Sequence, residues 1–272
     1  MARPGALAEG RRMTASAVLA ETARFALNNP LIDACFDQPD FEGTPRLAYV
    51  VGSTRRSGST YLSSLLAATG VLGVPTEYLK SSGPNKDLLA RAGHDPEDRS
   101  VEGYAAALIR LRTTPNGVFG LHAHFDQFAV GLRHHLFGRL LPVPRFIHIR
   151  RRDLLGQAIS LIHARQTDQW TSLGKGGGAP TYDGKAIREA LHGLIQQNAN
   201  WDLYFAEAGV EPFFLFYEDL VADPERLVAG ICAFLGVEWD GRFAQPRAPL
   251  ERQSDPVKQQ WRERFLAERR GG

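Results

Sequence analysis

The sequence predicts a three-layer αβα domain in which a central parallel sheet lies between two layers of helices. Strand-like apolar runs rich in β-branched and aromatic residues occupy 47–51, 117–125, 145–151 and 213–220. Segments with helical periodicity follow or precede these runs, and strands that alternate with helices favour parallel pairing through crossovers. The length of 272 residues fits one large domain of this class with insertions.

The predicted elements follow one another with clear end signals. The run 47–51 leads through the loop 52–60 into a helix over 61–70, whose terminal glycine suits a C-cap. Asp153 stands at the start of another helix, where its carboxylate can cap backbone amides. Residues 80–100 are polar and are expected to form an exposed excursion. The remaining helices are predicted over 101–112, 153–167, 184–208 and 223–236.

A division near residue 44 is expected, where Gly43, Thr44 and Pro45 form a turn signal. Residues 1–44 are predicted to hold a leader and a short helix, and residues 45–272 a single domain. The leader contains Arg11 and Arg12 but only a weak apolar stretch, so it does not fit a secretory signal peptide.

Composition excludes several classes of function. Hydrophobic residues make up 43% of the chain, and the net charge is +2, so nucleic-acid binding and membrane insertion are not expected. No apolar run reaches the roughly 20 residues of a spanning helix. Cys35 and Cys232 lie far apart and are expected to be buried thiols rather than a disulfide or a metal-ligand pair. Reduced thiols agree with a cytoplasmic location.

The strongest local signal is the loop GSTRRSGST, Gly52 to Thr60, between a predicted strand and helix. Unpaired amides at a helix N-terminus favour an anion, and a glycine lets the backbone approach it closely. The loop also offers two arginines and several hydroxyls. It lacks the Lys that a nucleoside-triphosphate P-loop places before its last hydroxyl residue, which argues against a P-loop kinase. A plain strand-to-helix turn with a solvated basic pair is the alternative.

A second basic cluster lies in IHIRRRDLLGQAIS, Ile147 to Ser160. Its three consecutive arginines stand at the carboxyl end of a predicted strand, where open α/β sheets bind ligands. Arginine side chains bind phosphate in bidentate fashion. Some of these arginines are expected to pair with carboxylates such as Asp153 or Glu218. Two anion sites at two strand ends indicate a nucleoside ligand with phosphates at both ends.

These motifs together resemble the sulfotransferase fold, which is P-loop-like, and in detail the bacterial trehalose 2-sulfotransferase family of the Stf-zero type. The resembling segments appear in family order over about 47–268. They are RRSGSTYLSSLLAATGVLGVPTEYL, TPNGVFGLHAHFDQ, FIHIRRRDLLGQAISLIHARQTDQW, YEDL and LERQSD. The resemblance implies transfer of a sulfuryl group from 3′-phosphoadenosine 5′-phosphosulfate (PAPS) to a hydroxyl of a small acceptor, without a metal. It also implies a homodimer.

The resemblance implies a role for each motif. The loop would hold the 5′-phosphosulfate, with Arg56 at the bridging oxygen. Arg151 and Ser160 match the pair expected at the 3′-phosphate, although the adjacent Arg150 and Arg152 are alternatives to Arg151. Glu77, in GVPTEYL, matches a proposed catalytic carboxylate. The loop residues implied in donor binding are Arg55, Arg56, Ser57, Gly58, Ser59 and Thr60.

Two positions depart from the family pattern. His122 stands where the family usually has Lys, and Arg55 replaces a neutral amide, so the identity of the acceptor stays open. His122 and His124 alternate and therefore face one side of a strand. They are expected to bind the acceptor or transfer a proton, and a polar strand face without chemistry is the alternative.

Glu77 is expected to act as the base that accepts the acceptor's proton. Apolar neighbours and nearby phosphates would favour its protonated form, which predicts a raised pKa. Two rival functions stay open: a small-molecule kinase of the P-loop class, and a non-catalytic nucleotide-binding protein of the same fold. Magnesium-dependent ATP turnover would indicate the first, and donor binding without transfer would indicate the second.

Overall fold

The structure, a computed structural model, describes residues 30–80, 86–170, 177–244 and 255–270. The predicted leader lies outside the described residues, and so does most of the LERQSD motif. Two short 3₁₀ turns, Pro30–Ile32 and Ala34–Phe36, precede the first strand. The division of the chain at residue 44 therefore stays a prediction.

Four strands form a parallel sheet within the described residues, in the spatial order β2-β1-β3-β4. Short apolar segments with β-branched and aromatic side chains form these strands, as their composition predicts. The central position of β1 buries it on both faces, which explains its nearly continuous apolar run. The strands are Leu47–Ser53 (β1), Val118–His124 (β2), Arg145–Arg150 (β3) and Phe213–Phe216 (β4).

Nine α-helices cover the sheet and its edges within the described residues. The helices predicted over 101–112 and 184–208 are confirmed as α3 and α6, and Asp153 caps α5 as predicted by accepting the Gly156 amide at 2.9 Å. The helices are Ser59–Ala68 (α1), Lys86–Arg91 (α2), Val101–Arg112 (α3), Phe125–Arg133 (α4), Leu154–Thr167 (α5), Gly184–Ala208 (α6), Tyr217–Ala222 (α7), Pro224–Leu235 (α8) and Pro256–Arg270 (α9).

Side chains of β1 alternate between two cores on opposite faces of the sheet. Tyr49 and Val51 pack with residues of α1 and α8 on one face. Ala48 and Val50 pack with residues of α3, α4 and α6 on the other, including the fully buried Trp201. Burial of each large apolar side chain contributes about 1.5–3 kcal/mol. The predicted three-layer αβα arrangement is therefore confirmed.

The sequence prediction is wrong in several local places. The strand predicted over 213–220 ends at Phe216, and YEDL begins α7 instead, because the chain turns at the end of the sheet. The excursion over 80–100 contains the short helix α2, whose Leu88 and Leu89 are buried. The helices α4 and α9 are not predicted. Cys232 is buried as expected, whereas Cys35 is exposed.

The chain's longest helices are polar on part of their surface. Among the described residues, no helix has both the length and the apolar content that crossing a bilayer requires.

Candidate active site

The carboxyl ends of three neighbouring strands meet at one edge of the sheet. Ser53 ends β1, His124 ends β2 and Arg150 ends β3. The register places Ser53 directly beside His124. Open parallel sheets bind their ligands outside this edge. The predicted anion-binding loop and the predicted histidine pair therefore lie side by side.

The loop between β1 and α1 is a tight turn that presents backbone amides. The Ser57 amide donates to the Thr54 carbonyl at 3.2 Å, and Gly58 precedes the helix with a φ of +89°. A Cβ at Gly58 would overlap the Tyr217 ring, so both the conformation and the available space require glycine. The first amides of α1 have no acceptor within the helix, and an anion at this end would satisfy them.

Three hydroxyl residues stand at this turn. Ser57 and Ser59 are buried, and Thr60 is half-buried. The Ser57 Oγ has no hydrogen-bond partner within the described residues. A buried hydroxyl without a partner costs about 1–3 kcal/mol. An anion held in the loop would relieve that cost by accepting a hydrogen bond from Ser57.

Gln157 fixes the loop from the neighbouring helix α5. Its amide nitrogen Nε2 donates to the Thr54 hydroxyl at 2.8 Å and to the Arg55 carbonyl at 2.7 Å. The Gln157 side chain is fully buried, so these contacts are shielded from water. Sequence reasoning missed this residue, although it lies inside the recognised segment that ends in QAIS.

Arg56 turns toward α5 and joins the two predicted anion sites. Its backbone has a φ of +64°, a left-handed conformation that is uncommon for residues other than glycine. The side-chain Nε donates to Ser160 Oγ at 3.0 Å, and Nη1 donates to the Trp170 carbonyl. Burial, followed by the charge of Arg151, lowers the pKa of Arg56 to about 10. A cation that is partly desolvated beside another cation favours binding of an anion.

Arg151 is the second cation of this cluster. It packs over the Tyr217 ring, with its guanidinium carbon 5.1 Å from the ring centroid, and its Nη1 lies 3.4 Å from the Arg56 carbonyl. Its Nε is 3.9 Å from a Glu218 oxygen, too far for a hydrogen bond, and has no hydrogen-bond partner within the described residues. The unpartnered Nε of Arg151 and the unpartnered Oγ of Ser57 are both donors, which fits an anionic ligand.

The other two consecutive arginines have carboxylate partners elsewhere. Arg152 binds Asp219 in bidentate fashion at 2.9 and 2.7 Å, and Arg150 pairs with Asp202. The expectation that some of the three arginines pair with acids is confirmed. Of the two acids named, Glu218 lies 3.9 Å from Arg151 Nε, whereas Asp153 pairs instead with Arg262, at 2.9 Å. The structure thus leaves Arg151, of the three, directed toward Arg56.

A further basic residue, Lys258 of α9, approaches the same cluster. The pKa of Lys258 is lowered mainly by burial, and then by the positive charges of Arg56 and Arg151. The negative charge of Asp255 opposes this shift. Asp255 also lies 3.0 Å from His163 Nε2. Sequence reasoning missed Lys258 because only the packing of α9 on α5 brings this distant helix to the site.

Arg55 points away from Arg56, toward β2. Its Nη2 lies 3.0 Å from an Asp126 oxygen, and both side chains are partly exposed. The nearby charge of Arg55 contributes to lowering the pKa of His124, after the larger effect of burial. The two consecutive arginines of the loop thus serve different parts of the site.

A second cluster joins Glu77 to the histidines of β2. Gln127 Nε2 donates to a Glu77 oxygen at 2.7 Å, and His124 Nε2 lies 3.7 Å from the same oxygen. Ser53 Oγ lies 2.9 Å from His122 Nε2 and 3.0 Å from His124 Nδ1. Both histidines are buried, and Glu77 is half-buried. Sequence reasoning selected three of these residues and missed Ser53 and Gln127.

The predicted direction of the Glu77 pKa shift is wrong. Burial raises the pKa of Glu77. The electrostatic attraction of His124 and His122, followed by the Gln127 hydrogen bond, outweighs burial and lowers this pKa to about 2. The sequence showed the apolar neighbours of Glu77 but not the imidazoles and the amide. Burial also lowers the pKa of His122, to about 4. At neutral pH the cluster therefore holds an ionised carboxylate beside neutral imidazoles.

Three solved structures are similar to this chain over more than four-fifths of its length. One is a sulfotransferase domain from the Synechococcus PCC 7002 olefin synthase, with a TM-score of 0.44 and 21% identity over 83% of this chain and 90% of that one. Another is a sulfotransferase from Alicyclobacillus acidocaldarius, with a TM-score of 0.46 and 16% identity over 84% and 93%. A third is retinol dehydratase in complex with androsterone and inactive cofactor PAP, with a TM-score of 0.41, 15% identity and coverage of 84% and 81%.

Sequence comparisons are more specific. The chain is 31% identical over 255 residues to trehalose 2-sulfotransferase of Mycobacterium tuberculosis, covering 81% of this chain and 94% of the relative. It is 30% identical to trehalose 2-sulfotransferase of Mycolicibacterium smegmatis, covering 80% and 94%. Residues 48–268, which contain both clusters, match the Stf0 sulphotransferase family. The chain therefore belongs to the Stf0 sulphotransferase family.

Proposed function

We propose that this sulfotransferase takes its sulfuryl group from PAPS and transfers it to a hydroxyl of a small carbohydrate. The observation that carries the proposal is a pair of buried donors at two neighbouring strand ends, Ser57 Oγ and Arg151 Nε, that make no hydrogen bond within the described residues. Family membership defines the reaction class, and the two similar trehalose 2-sulfotransferases point to a sugar hydroxyl as acceptor.

The donor would lie along the loop between β1 and α1. The free amides of α1, with Ser57, Ser59 and Thr60, suit the 5′-phosphosulfate. Arg151, with Ser160 on α5, suits the 3′-phosphate, because arginine forms strong charge-assisted hydrogen bonds with phosphate oxygens. Arg152 is the poorer candidate, since Asp219 already occupies its guanidinium.

Transfer would proceed by in-line displacement at sulfur. The acceptor oxygen forms a bond to sulfur, the bond from sulfur to the bridging oxygen breaks, and the nucleotide leaves with a new negative charge. Arg56 lies in the loop and can stabilise that charge as it grows. Electrostatic stabilisation by a preorganised group is usually the largest single contribution to catalysis. Holding both reactants in an aligned geometry would supply much of the remaining rate acceleration.

Glu77 would receive the acceptor's proton. Its carboxylate is ionised at neutral pH and held by Gln127, so its orientation is fixed before the acceptor arrives. His122 and His124 lie beside Glu77 and would hydrogen-bond acceptor hydroxyls. Arg55, which pairs with Asp126 at the edge of this cluster, would contact the acceptor more than the donor.

The experiment that tests the function supplies labelled PAPS with trehalose, glucose or an unrelated alcohol and detects the sulfated product by mass spectrometry. Transfer from PAPS to a sugar, with no phosphate transferred from magnesium ATP, is the expected result. Transfer from ATP would instead establish a kinase, and PAPS binding without transfer to any acceptor would establish a nucleotide-binding protein. The homodimer and the cytoplasmic location stay predictions.

A further inference from the structure

Three chemically matched side chains converge beside the loop. Glu77 offers a carboxylate oxygen, and His122 and His124 each offer an imidazole nitrogen. These three atoms all lie within 4.8 Å of one another. We propose that Glu77, His122 and His124 form a binding site for a divalent transition-metal ion such as Zn²⁺ or Co²⁺.

Strand geometry brings the two histidines together. They are separated by one residue on β2, so both side chains leave the same face of the strand. Glu77 comes from a separate segment, whose Thr76 carbonyl accepts the His122 amide at 3.0 Å. This backbone contact fixes the distance between the carboxylate and the strand.

One of the spacings between the ligand atoms is close to that of direct ligation. Zinc bonds to nitrogen and oxygen are about 2.0–2.2 Å, which places two tetrahedral ligands roughly 3.3 Å apart. The His124 Nε2 and the Glu77 Oε2 are 3.7 Å apart. A shift of a few tenths of an ångström in the half-buried Glu77 side chain would close that difference.

An outer set of hydrogen bonds already orients two of the three ligands, Glu77 and His124. The Nδ1 of His124 contacts Ser53 Oγ at 3.0 Å, which leaves Nε2 directed toward Glu77. Gln127 holds the Glu77 carboxylate at 2.7 Å, and its own Oε1 accepts the His124 amide at 2.9 Å. Metal-bound histidines and carboxylates in proteins are supported by hydrogen bonds of this kind.

The donor set selects the class of ion. Two imidazoles and one carboxylate suit Zn²⁺, Co²⁺, Ni²⁺ or Cu²⁺, whereas Mg²⁺ and Ca²⁺ prefer oxygen ligands alone. Both imidazoles are buried and the carboxylate is partly exposed, so an ion would enter from the Glu77 side. Three protein ligands leave a fourth position for water.

The binding test uses the full chain without a histidine tag, after removal of metal with a chelator. Titration with Co²⁺ is followed by visible absorption, and Zn²⁺ stoichiometry is measured by equilibrium dialysis with elemental analysis. One ion per chain is expected. His122→Asn, His124→Asn and Glu77→Gln should each weaken binding more than the ~10–100-fold expected for loss of an outer partner such as Ser53.

His134→Asn is the matched control, because His134 is exposed and should leave the affinity unchanged. Circular dichroism verifies that each variant is folded, and Ser53→Ala, which keeps all three ligands, provides a milder test with about a 10-fold loss. Absence of saturable binding to the wild-type chain would overturn the proposal. Binding that survives in all three ligand variants would overturn it too, because the ion would then lie elsewhere.

The consequence for catalysis rests on the proposed function. An ion bound to Glu77 lowers the basicity of the carboxylate that would accept the acceptor's proton, so Zn²⁺ should inhibit sulfuryl transfer at the concentration at which it binds. A chelator should restore the rate. If Zn²⁺ binds to these ligands but transfer continues unchanged, the metal site stands and the role of Glu77 as the base is wrong.

Discussion

Arg56 Nε and Ser160 Oγ are 3.0 Å apart, and this hydrogen bond joins the loop after β1 to the helix after β3. Sequence reasoning placed these two residues at opposite ends of the donor. Their contact means that the two proposed phosphate-binding regions form one continuous cationic surface, completed by Arg151.

Arg56→Met should reduce the rate of transfer about 10²–10³-fold while weakening donor binding much less, because the cation is needed most as charge grows on the leaving oxygen. Single-turnover rates and a donor titration separate the two effects. Arg55→Met is the matched comparison. It should affect donor binding less than Arg56→Met does, because Arg55 is directed toward Asp126. Loss of affinity alone in the Arg56 variant would make Arg56 a ground-state anchor.

Arg151→Gln should remove the preference for 3′-phosphoadenosine 5′-phosphate over AMP. A charged hydrogen bond of this kind contributes about 1.5–3 kcal/mol, which corresponds to roughly a 10–100-fold difference in affinity. Calorimetry with both nucleotides measures that ratio. Arg152→Gln is the control, because Arg152 binds Asp219 on the surface. If the control loses the preference and Arg151→Gln keeps it, the residue assigned to the 3′-phosphate is wrong.

Glu77→Gln should cut the transfer rate about 10²-fold, the usual contribution of a general base, and leave donor affinity intact. The pKa of Glu77 is about 2, below its ordinary value of 4.5, so the ionised base is present above that ordinary value and is lost only as pH falls toward 2. The wild-type rate should thus stay flat from pH 7 to pH 5 and fall only in stronger acid. A steep loss between pH 7 and 6 would contradict this account.

Protonation of the neighbouring imidazole adds a second acid-sensitive step. The pKa of His122 is lowered from 6.5 to about 4, so the folded state binds fewer protons than the unfolded state between these values. Stability should therefore decline as pH falls through this window. Urea unfolding at pH 7.5 and pH 5 measures the decline, which His122→Asn should reduce and the exposed control His134→Asn should not.

Gly58→Ala should destabilise the fold and abolish donor binding, because a Cβ would overlap Tyr217 as well as strain a backbone with a φ of +89°. Gly43→Ala separates the two causes, since Gly43 has nearly the same φ, +88°, and open space where a Cβ would lie. Left-handed strain alone costs on the order of 1–2 kcal/mol. A Gly58 variant that is no less stable than the Gly43 variant would show that Tyr217 moves aside freely.

Short-range patterns were sufficient to predict much of this fold. The apolar runs of β1 and β3, the helix over 184–208 and the cap at Asp153 each depend on residues close in sequence, and the structure confirms them. The YEDL segment was predicted as strand because its neighbours in FFLF are strand-forming. Only the end of the sheet, a tertiary boundary, turns Tyr217 into the start of a helix.

The sequence by itself determined the chemistry available at the site: a glycine where the loop turns, hydroxyls and arginines around it, and two alternating histidines. Tertiary structure decided which of these groups act together. Consecutive Arg151 and Arg152 have the same side chain, but the first lies beside Arg56 and the second beside Asp219. The amino-acid sequence sets which side chains a segment contains. Their burial, their partners and their pKa values depend on groups that only the folded chain brings into contact.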